Sequence, residues 1–379
     1  VMTGRVRFPE LAAPCPPEAG GRAVQSGETL VDAVHPSPRR RDGKALGVGR
    51  AGARDGGTVL LADEPGAGRR APSADTDAGT APGARAYLPD LIEPRRTIGG
   101  RTFDFSREVA VVAIVNRTPD SFYDRGRTYA LDAAIDRALT AAAEGADWVD
   151  VGGVPFSPDV AAVSAQEELD RVLPVVAGVR ARSDVVVSVD TSRPEVARRC
   201  LDAGAAVIND TSGLRDPAMA QVVARAGASV VIVHSLAAPH ARHPAPRYTD
   251  VVAEVGRHLR ARVALALDAG VPAGRIFVDP GHDLNKNTRH SLALTARLNE
   301  ITAIGMPTLV ALSNKDFVGE TLGRPREERL AGSLAAAALC VQQGARLVRA
   351  HEVGPTVDAV RLAEAVLGLR EPAYARHNV

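Results

Sequence analysis

Aromatic side chains are scarce in this sequence: seven Phe, five Tyr and a single Trp among 379 residues. With hydrophobic residues at 45%, the core has to be built from Ala, Val, Leu and Ile. Cysteine is scarcer still. Cys15, Cys200 and Cys340 have neither disulfide-type nor zinc-type spacing, which fits a reducing, cytoplasmic setting. There is no apolar run of transmembrane length, and no charged segment followed by an apolar signal core. Neither sign of charge dominates, since 46 Lys and Arg against 45 Asp and Glu give a net +1. That balance argues against a nucleic-acid or membrane partner. No G-x-G-x-x-G follows any apolar strand, so a dinucleotide reading has no anchor.

The residues that are present divide the chain in two. Residues 1–100 are rich in Gly, Pro, Ala, Arg and Asp without a sustained apolar period, and read as a disordered extension. Acidic residues interleave with the arginines, which weakens a basic-arm reading. A few apolar residues return near Ala86–Ile98, and Thr102–Glu108 reads as a short strand or hairpin capping the folded domain. Residues 101–371 form that domain, and 372–379 a tail.

From Val109 a unit repeats: a short apolar strand, a polar loop, an amphipathic helix. The strands fall at Val109–Val115, Trp148–Val151, Val185–Val189, Ala206–Ile208, Ser229–Val233, Ile276–Val278, Thr308–Leu312 and Leu347–Arg349. Helices fall between them, for example at Ala130–Glu144, Ala165–Arg182, Glu195–Asp202, Val251–Ala269 and Glu327–Gln343. Most end in a glycine before the next strand, as at Gly145, Gly204, Gly227, Gly270 and Gly344. Eight such units without reversal predict a (β/α)8 TIM barrel. An open doubly wound sheet is the alternative.

In a barrel the C-terminal strand ends share one bowl. Here they carry Asn116, Asp150, Asp190, Asn209 with Asp210, His234, Asp279, Ser313 with Lys315, and Arg349 with His351. Any one of these could be a helix cap or turn former. Caps alone would not call for Lys, Arg and His at the last two ends. Those cations fall near strands seven and eight, where barrels often hold phosphate. Asp190, Asn209 and Asp279 supply acceptors and an amide suited to a flat, donor-rich heterocycle. The residues alone point to an anionic heterocyclic substrate.

Asn116-Arg117-Thr118-Pro119-Asp120-Ser121-Phe122 resembles the first motif of dihydropteroate synthases. Ser188-Val189-Asp190-Thr191, Ile208-Asn209-Asp210, Asp279-Pro280-Gly281, Ser313-Asn314-Lys315 and Arg349-Ala350-His351 follow in that family's order. The resemblance covers Val109 to about Leu369 and looks most like a divergent second-copy paralogue. It implies a pterin-binding barrel, a homodimer, and transfer of a dihydropterin-methyl group from its pyrophosphate to p-aminobenzoate, an aryl amine. By position, Asp190, Asn209, Asp279 and Lys315 would bond the pterin. Arg349 would flank the ring and, with His351, hold the pyrophosphate, which makes Lys315, Arg349 and His351 the catalytic cations. Asn116 would bind the Mg2+ that bridges that pyrophosphate.

The departures from the family concentrate at the acceptor side. Where the family has Gly-Gly-Glu-Ser-Thr-Arg-Pro-Gly, this chain has Gly152-Gly153-Val154-Pro155-Phe156-Ser157-Pro158-Asp159, with Phe156 for threonine and Ser157 for arginine. Gly-Phe-Gly-Lys becomes Asp283-Leu284-Asn285-Lys286, so Leu284 replaces an aromatic. The serine after the pterin-binding lysine is Asp316, which is expected to occupy the N–H donors of its own helix terminus and repel a carboxylate. Three readings stay open: a working synthase, a paralogue with weak or no synthase activity, or a methyltetrahydrofolate methyltransferase of the same superfamily. The Lys/Arg/His anion cluster counts against the last.

Overall fold

The computed structural model describes residues 87–118, 130–155, 162–237 and 246–377. It opens with an antiparallel hairpin, Arg95–Ile98 (β1) and Arg101–Asp104 (β2). The link between them is Gly99-Gly100, at φ +57° and +87°. Two positive φ values in a two-residue loop are the turn that matches the right-handed twist of the strands, and glycine adopts them without a Cβ clash.

Eight parallel strands come next: β3 (Ala110–Asn116), β4 (Trp148–Gly152), β5 (Val186–Asp190), β6 (Val207–Asp210), β7 (Ser229–Val233), β8 (Ile276–Asp279), β9 (Leu309–Ala311) and β10 (Leu347–Ala350). Their ladder runs β8-β7-β6-β5-β4-β3-β10-β9, and a parallel bridge between Val278 and Thr308 closes β8 onto β9. The fold is therefore the expected TIM barrel, and the open-sheet alternative is excluded. Most of these strands run one or two residues past the apolar run, so that Asn116, Asp190, Asp210 and Asp279 are themselves ladder residues. That ties each polar side chain to a rigid backbone.

The outer ring comprises α1 (Leu131–Ala143), α2 (Ala165–Arg180), α3 (Pro194–Asp202), α4 (Pro217–Ala226), α5 (Val251–Asp268), α6 (Thr288–Ala296), α7 (Leu298–Thr302), α8 (Asp316–Leu322), α9 (Leu330–Gln342) and α10 (Val353–Val366). Local chemistry sets their starts. Ser164 accepts from the N–H of Glu167, and Asp250 accepts from those of Val252 and Ala253. Helix α9 begins later than its sequence pattern implies, because Arg326–Glu328 winds as a 3-10 turn after Pro325.

Four aromatics, Phe103, Phe105, Trp148 and Phe277, gather at the N-terminal end of the barrel, opposite the bowl. Trp148 and Phe277 meet edge to face at 5.3 Å, Phe105 and Phe277 at 5.6 Å, and Phe103 and Trp148 at 6.2 Å. Such pairs contribute roughly 0.5–1.5 kcal/mol each beyond their buried area. The β1–β2 hairpin plugs this end. Arg96 lies over the Phe277 ring and donates to the carbonyls of Ile276 (2.7 Å), Glu93 (2.9 Å) and Ile92 (2.7 Å). Its burial brings its pKa down to about 10.

The sequence puts the domain start at residue 101, yet the chain is already tied to the barrel from Tyr87. The Tyr87 hydroxyl donates to Asn299 O, and Ile92 N donates to Gly305 O. Its apolar residues are few, among them Ile98 and Leu91, and backbone bonds with one buried arginine supply much of the anchoring. Residues 1–86, read from the sequence as a disordered extension, lie outside the described residues.

Candidate active site

Parallel strands end in step, so the polar residues at their C-terminal ends face one another across the barrel mouth. The centre of this group is Asp150, on β4 and 1% exposed. Its Oδ1 accepts from Ser188 Oγ at 2.6 Å. Its Oδ2 accepts from Asn209 Nδ2 at 2.9 Å and from Arg349 Nε at 2.7 Å. Arg349 continues through Nη2 to Asp190 Oδ2 at 3.2 Å. Four strands are thus joined by side chains: β10, β4, β5 and β6. In the sequence Asp150 is a strand-end acid with no assigned role. An acid that holds other polar groups looks, in a sequence, like an acid that holds a ligand.

This web sets the electrostatics. Burial disfavours the charge on Arg349, but the carboxylates of Asp150 and Asp190 outweigh it and raise its pKa. Burial pushes the Asp190 carboxyl up to about 7, opposed by Arg349 and assisted by the nearby Asp150 charge. Asn209 spends its amide nitrogen on Asp150, which leaves Oδ1 buried without a protein partner. A buried acceptor without a donor costs about 1–3 kcal/mol, which a donor on a ligand would relieve.

Asp279 ends β8, and its Oδ1 accepts from Gly281 N at 2.6 Å. Burial raises its carboxyl, opposed first by Lys315. Lys315, the residue before α8, donates to the carbonyl of His282 and has its pKa lowered by burial against the pull of Asp283 and Asp279. His351 is held differently. Its Nδ1 lies 3.0 Å from Ser313 Oγ, which also donates to Glu352 Oε2 at 3.0 Å. Asn116 stands at the end of β3, half-buried, beside Gly152 of β4.

The loop after β8 holds two residues whose weight the sequence hides. Asp283 and Asn285 take φ +62° and +51°, the conformation in which the family's pattern has glycine. Asp and Asn are the side chains that tolerate it best, and both use it to bond. Asn285 Oδ1 accepts from Ser235 Oγ at 2.8 Å and Ala237 N at 2.9 Å. Asp283 Oδ2 accepts from Phe317 N in α8 at 3.1 Å. Lys286 closes the loop, donating to Gly281 O and Leu284 O at 2.9 Å each and lying 2.9 Å from His234 Nδ1. Burial brings Lys286 down to about 7, and burial with the neighbouring Lys286 charge brings His234 down to about 2. Leu284 is half-buried among these residues.

Asp316 departs from its expected role. The cap position of α8 is Lys315, and Asp316 is the helix's first residue. Its side chain is 83% exposed and pairs with Arg329 at 2.8 Å. It accepts no N–H of its own helix; Asp283, thirty-odd residues earlier, takes that of Phe317. The carboxylate at this corner therefore comes from a different loop. Phe156, Ser157 and the Pro119–Phe122 part of the first motif lie outside the described residues.

The family profile described as pterin binding enzyme matches residues 112–351. The chain is 45% identical over 279 residues to the inactive dihydropteroate synthase 2 of Mycobacterium leprae, covering 72% of this chain and 95% of that protein. It is 40% identical over 272 residues to the dihydropteroate synthase of Escherichia coli, covering 72% and 96%. Among solved structures, the Xanthomonas albilineans dihydropteroate synthase with 4-aminobenzoic acid superposes with a TM-score of 0.67 at 42% identity, covering 72% of this chain and 98% of that one. With its closed barrel, its bowl of acids and cations, and this match along the barrel, the chain belongs to the dihydropteroate synthase family of pterin-binding enzymes.

Proposed function

We propose that this protein is a dihydropteroate synthase-like transferase of folate biosynthesis. It joins the (7,8-dihydropterin-6-yl)methyl group of the pterin diphosphate to 4-aminobenzoate, giving 7,8-dihydropteroate and diphosphate. The observation that carries this reading is the Asp150 web, which holds Asn209 and Arg349 and leaves one buried amide oxygen waiting for a donor. A pterin edge alternates donors and acceptors. Asp190, Asp279 and Asn209 Oδ1 suit its N–H groups, and Lys315 suits its carbonyl side. Arg349 flanks the ring and, with His351, holds the diphosphate.

The reaction breaks the methylene C–O bond and forms a C–N bond. Positive charge left on the methylene spreads into the dihydropterin ring. The amine attacks it and loses a proton to solvent. Fixed cations at the leaving group stabilise the developing negative charge without reorganising. Among the described residues no three His, Cys, Asp or Glu side chains gather as a metal nest. Asn116 Oδ1 lies 3.0 Å from where a Cβ on Gly152 would sit, so glycine there leaves room beside that amide. One amide with phosphate oxygens and waters is a donor set that suits Mg2+, which would neutralise the leaving diphosphate.

A second reading, a paralogue that binds pterin but turns over weakly or not at all, is favoured by the Asp283–Phe317 bond and by the changes at Phe156, Ser157 and Leu284. Calorimetric titration with the pterin diphosphate and Mg2+ tests both, followed by 4-aminobenzoate with diphosphate release as readout. Binding with release supports the synthase, and binding without release supports the paralogue. No binding overturns both.

The setting is cytoplasmic, since the buried free thiols of Cys200 and Cys340 suit a reducing compartment. None of the described helices is long and apolar enough to cross a membrane. The working form is a homodimer. Helix α9 carries no charged residue from Leu330 to Gln342, yet Leu339 is exposed. On its neighbour α10, Leu362 and Val366 are exposed one turn apart. Exposed leucine and valine side chains on adjacent helices call for a partner surface, beside the exposed Asp358 of α10.

A further inference from the structure

Glu352 is the cap residue of α10, yet its side chain makes no capping bond to that helix. Both carboxylate oxygens turn instead to the loop after β9. Oε1 accepts from Asn314 Nδ2 at 2.9 Å, and Oε2 accepts from Ser313 Oγ at 3.0 Å. Asn314 is itself fixed, at φ +58°. Its N–H donates to the buried Ser333 Oγ of α9 at 3.0 Å, and its carbonyl accepts from Arg329 Nη1 at 2.9 Å. The carboxylate is therefore aimed by its neighbours on another loop and not by its own helix.

Ser313 links that carboxylate to the bowl. Its hydroxyl has one hydrogen and two lone pairs. Three groups bond it: Glu352 Oε2, His351 Nδ1 at 3.0 Å and the His351 backbone N–H at 3.3 Å. A carboxylate can only accept, so the hydroxyl hydrogen goes to Glu352. The backbone N–H takes one lone pair. The other is what remains for Nδ1, which must then carry a hydrogen. We propose that Glu352 is a positioning residue for His351: acting through Ser313, it fixes the Nδ1–H form of the ring and reserves Nε2 for the diphosphate. The inference rests on the reading of His351 as a diphosphate ligand. In the opposite tautomer the Ser313 hydrogen would have to turn to Nδ1, and Oε2 would lose its donor. As an imidazolium the ring needs an acceptor on each side. Ser313 supplies one and the diphosphate the other. Arg137 completes the support by donating to the His351 carbonyl.

The test reads the tautomer directly. The full chain is made with isotope-labelled histidine, and nitrogen NMR is recorded at a pH where the ring is neutral, with the His351 signals identified by their loss in His351→Gln. The parent is expected to carry its proton on Nδ1, the reverse of what a free imidazole side chain favours. Ser313→Ala and Glu352→Ala should each return the ring to the Nε2–H form. Calorimetric titration with inorganic pyrophosphate and Mg2+ should show a Kd raised about tenfold in each. The double variant should lose no more than Ser313→Ala alone, because Glu352 acts through that hydroxyl. A parent ring in the Nε2–H form overturns the inference without any variant having to fold. So do an unchanged tautomer in both single variants, or losses that add in the double. Failure of the parent to bind pyrophosphate, or parent-like binding by His351→Gln, sinks the diphosphate reading of His351 instead, whichever tautomer is found.

Discussion

Arg349 and Asp150 are bonded at 2.7 Å across an intervening strand, since β10 and β4 both pair with β3. The guanidinium thus bridges the barrel mouth before any ligand arrives. Its plane and the Asn209 amide are both fixed by one carboxylate oxygen.

Asp150→Ala should therefore cost far more than a lost side chain. It leaves the Arg349 charge and two further donors without their buried partner, worth about 3–5 kcal/mol of stability. Urea unfolding would register this as a lowered midpoint at unchanged slope. Asp150→Asn keeps the shape but turns one acceptor into a donor facing donors, so pterin affinity should fall by about tenfold or more.

If Asp190 holds the pterin as proposed, binding should depend on pH. Its folded pKa is raised to about 7 from 3.8, so between those values the folded chain binds more protons than the unfolded one. The stability this group contributes is greatest below about pH 4 and declines as pH rises towards 7. Ligand binding runs the other way, because ring N–H donors require the carboxylate. Pterin affinity should rise from pH 6 to 8, with a proton released that calorimetry in buffers of different ionisation enthalpy will count. Asp190→Asn should abolish the buffer dependence.

Asn285 separates backbone strain from hydrogen bonding. Both Asn285→Gly and Asn285→Ala lose the bonds from Ser235 and Ala237. Only alanine adds the strain of φ +51°, about 1–2 kcal/mol. The alanine variant should be the less stable of the two by that margin in chemical denaturation.

The exposed Leu339, Leu362 and Val366 of α9 and α10 offer a test of the proposed dimer. Leu362→Glu with Val366→Glu places two charges on it while touching no buried residue. Light scattering should report a dimer for the parent and a monomer for the double variant, with the far-UV spectrum unchanged.

The barrel was legible in the sequence because strands buried on both faces are apolar runs, and each stops where the bowl begins. The ring of polar strand ends was legible too, since Asp190, Asn209, Asp279 and Arg349 fall at the C-terminal ends of their strands. What escaped were bonds between distant loops. Asp283 reads as a lost glycine, yet it reaches Phe317 in α8. Asp316 reads as a helix-terminus anion, yet it turns outward to Arg329. The hairpin plug escaped for a similar reason, since Arg96 looks like a surface residue and is 3% exposed.

The single tryptophan closes the far end of the barrel, wholly buried against Phe277 and Phe103. Its emission is consequently a gauge of the foundation, not of the mouth. Excitation at its absorption edge should follow unfolding of the barrel floor. This protein carries its own optical probe for the packing of that end.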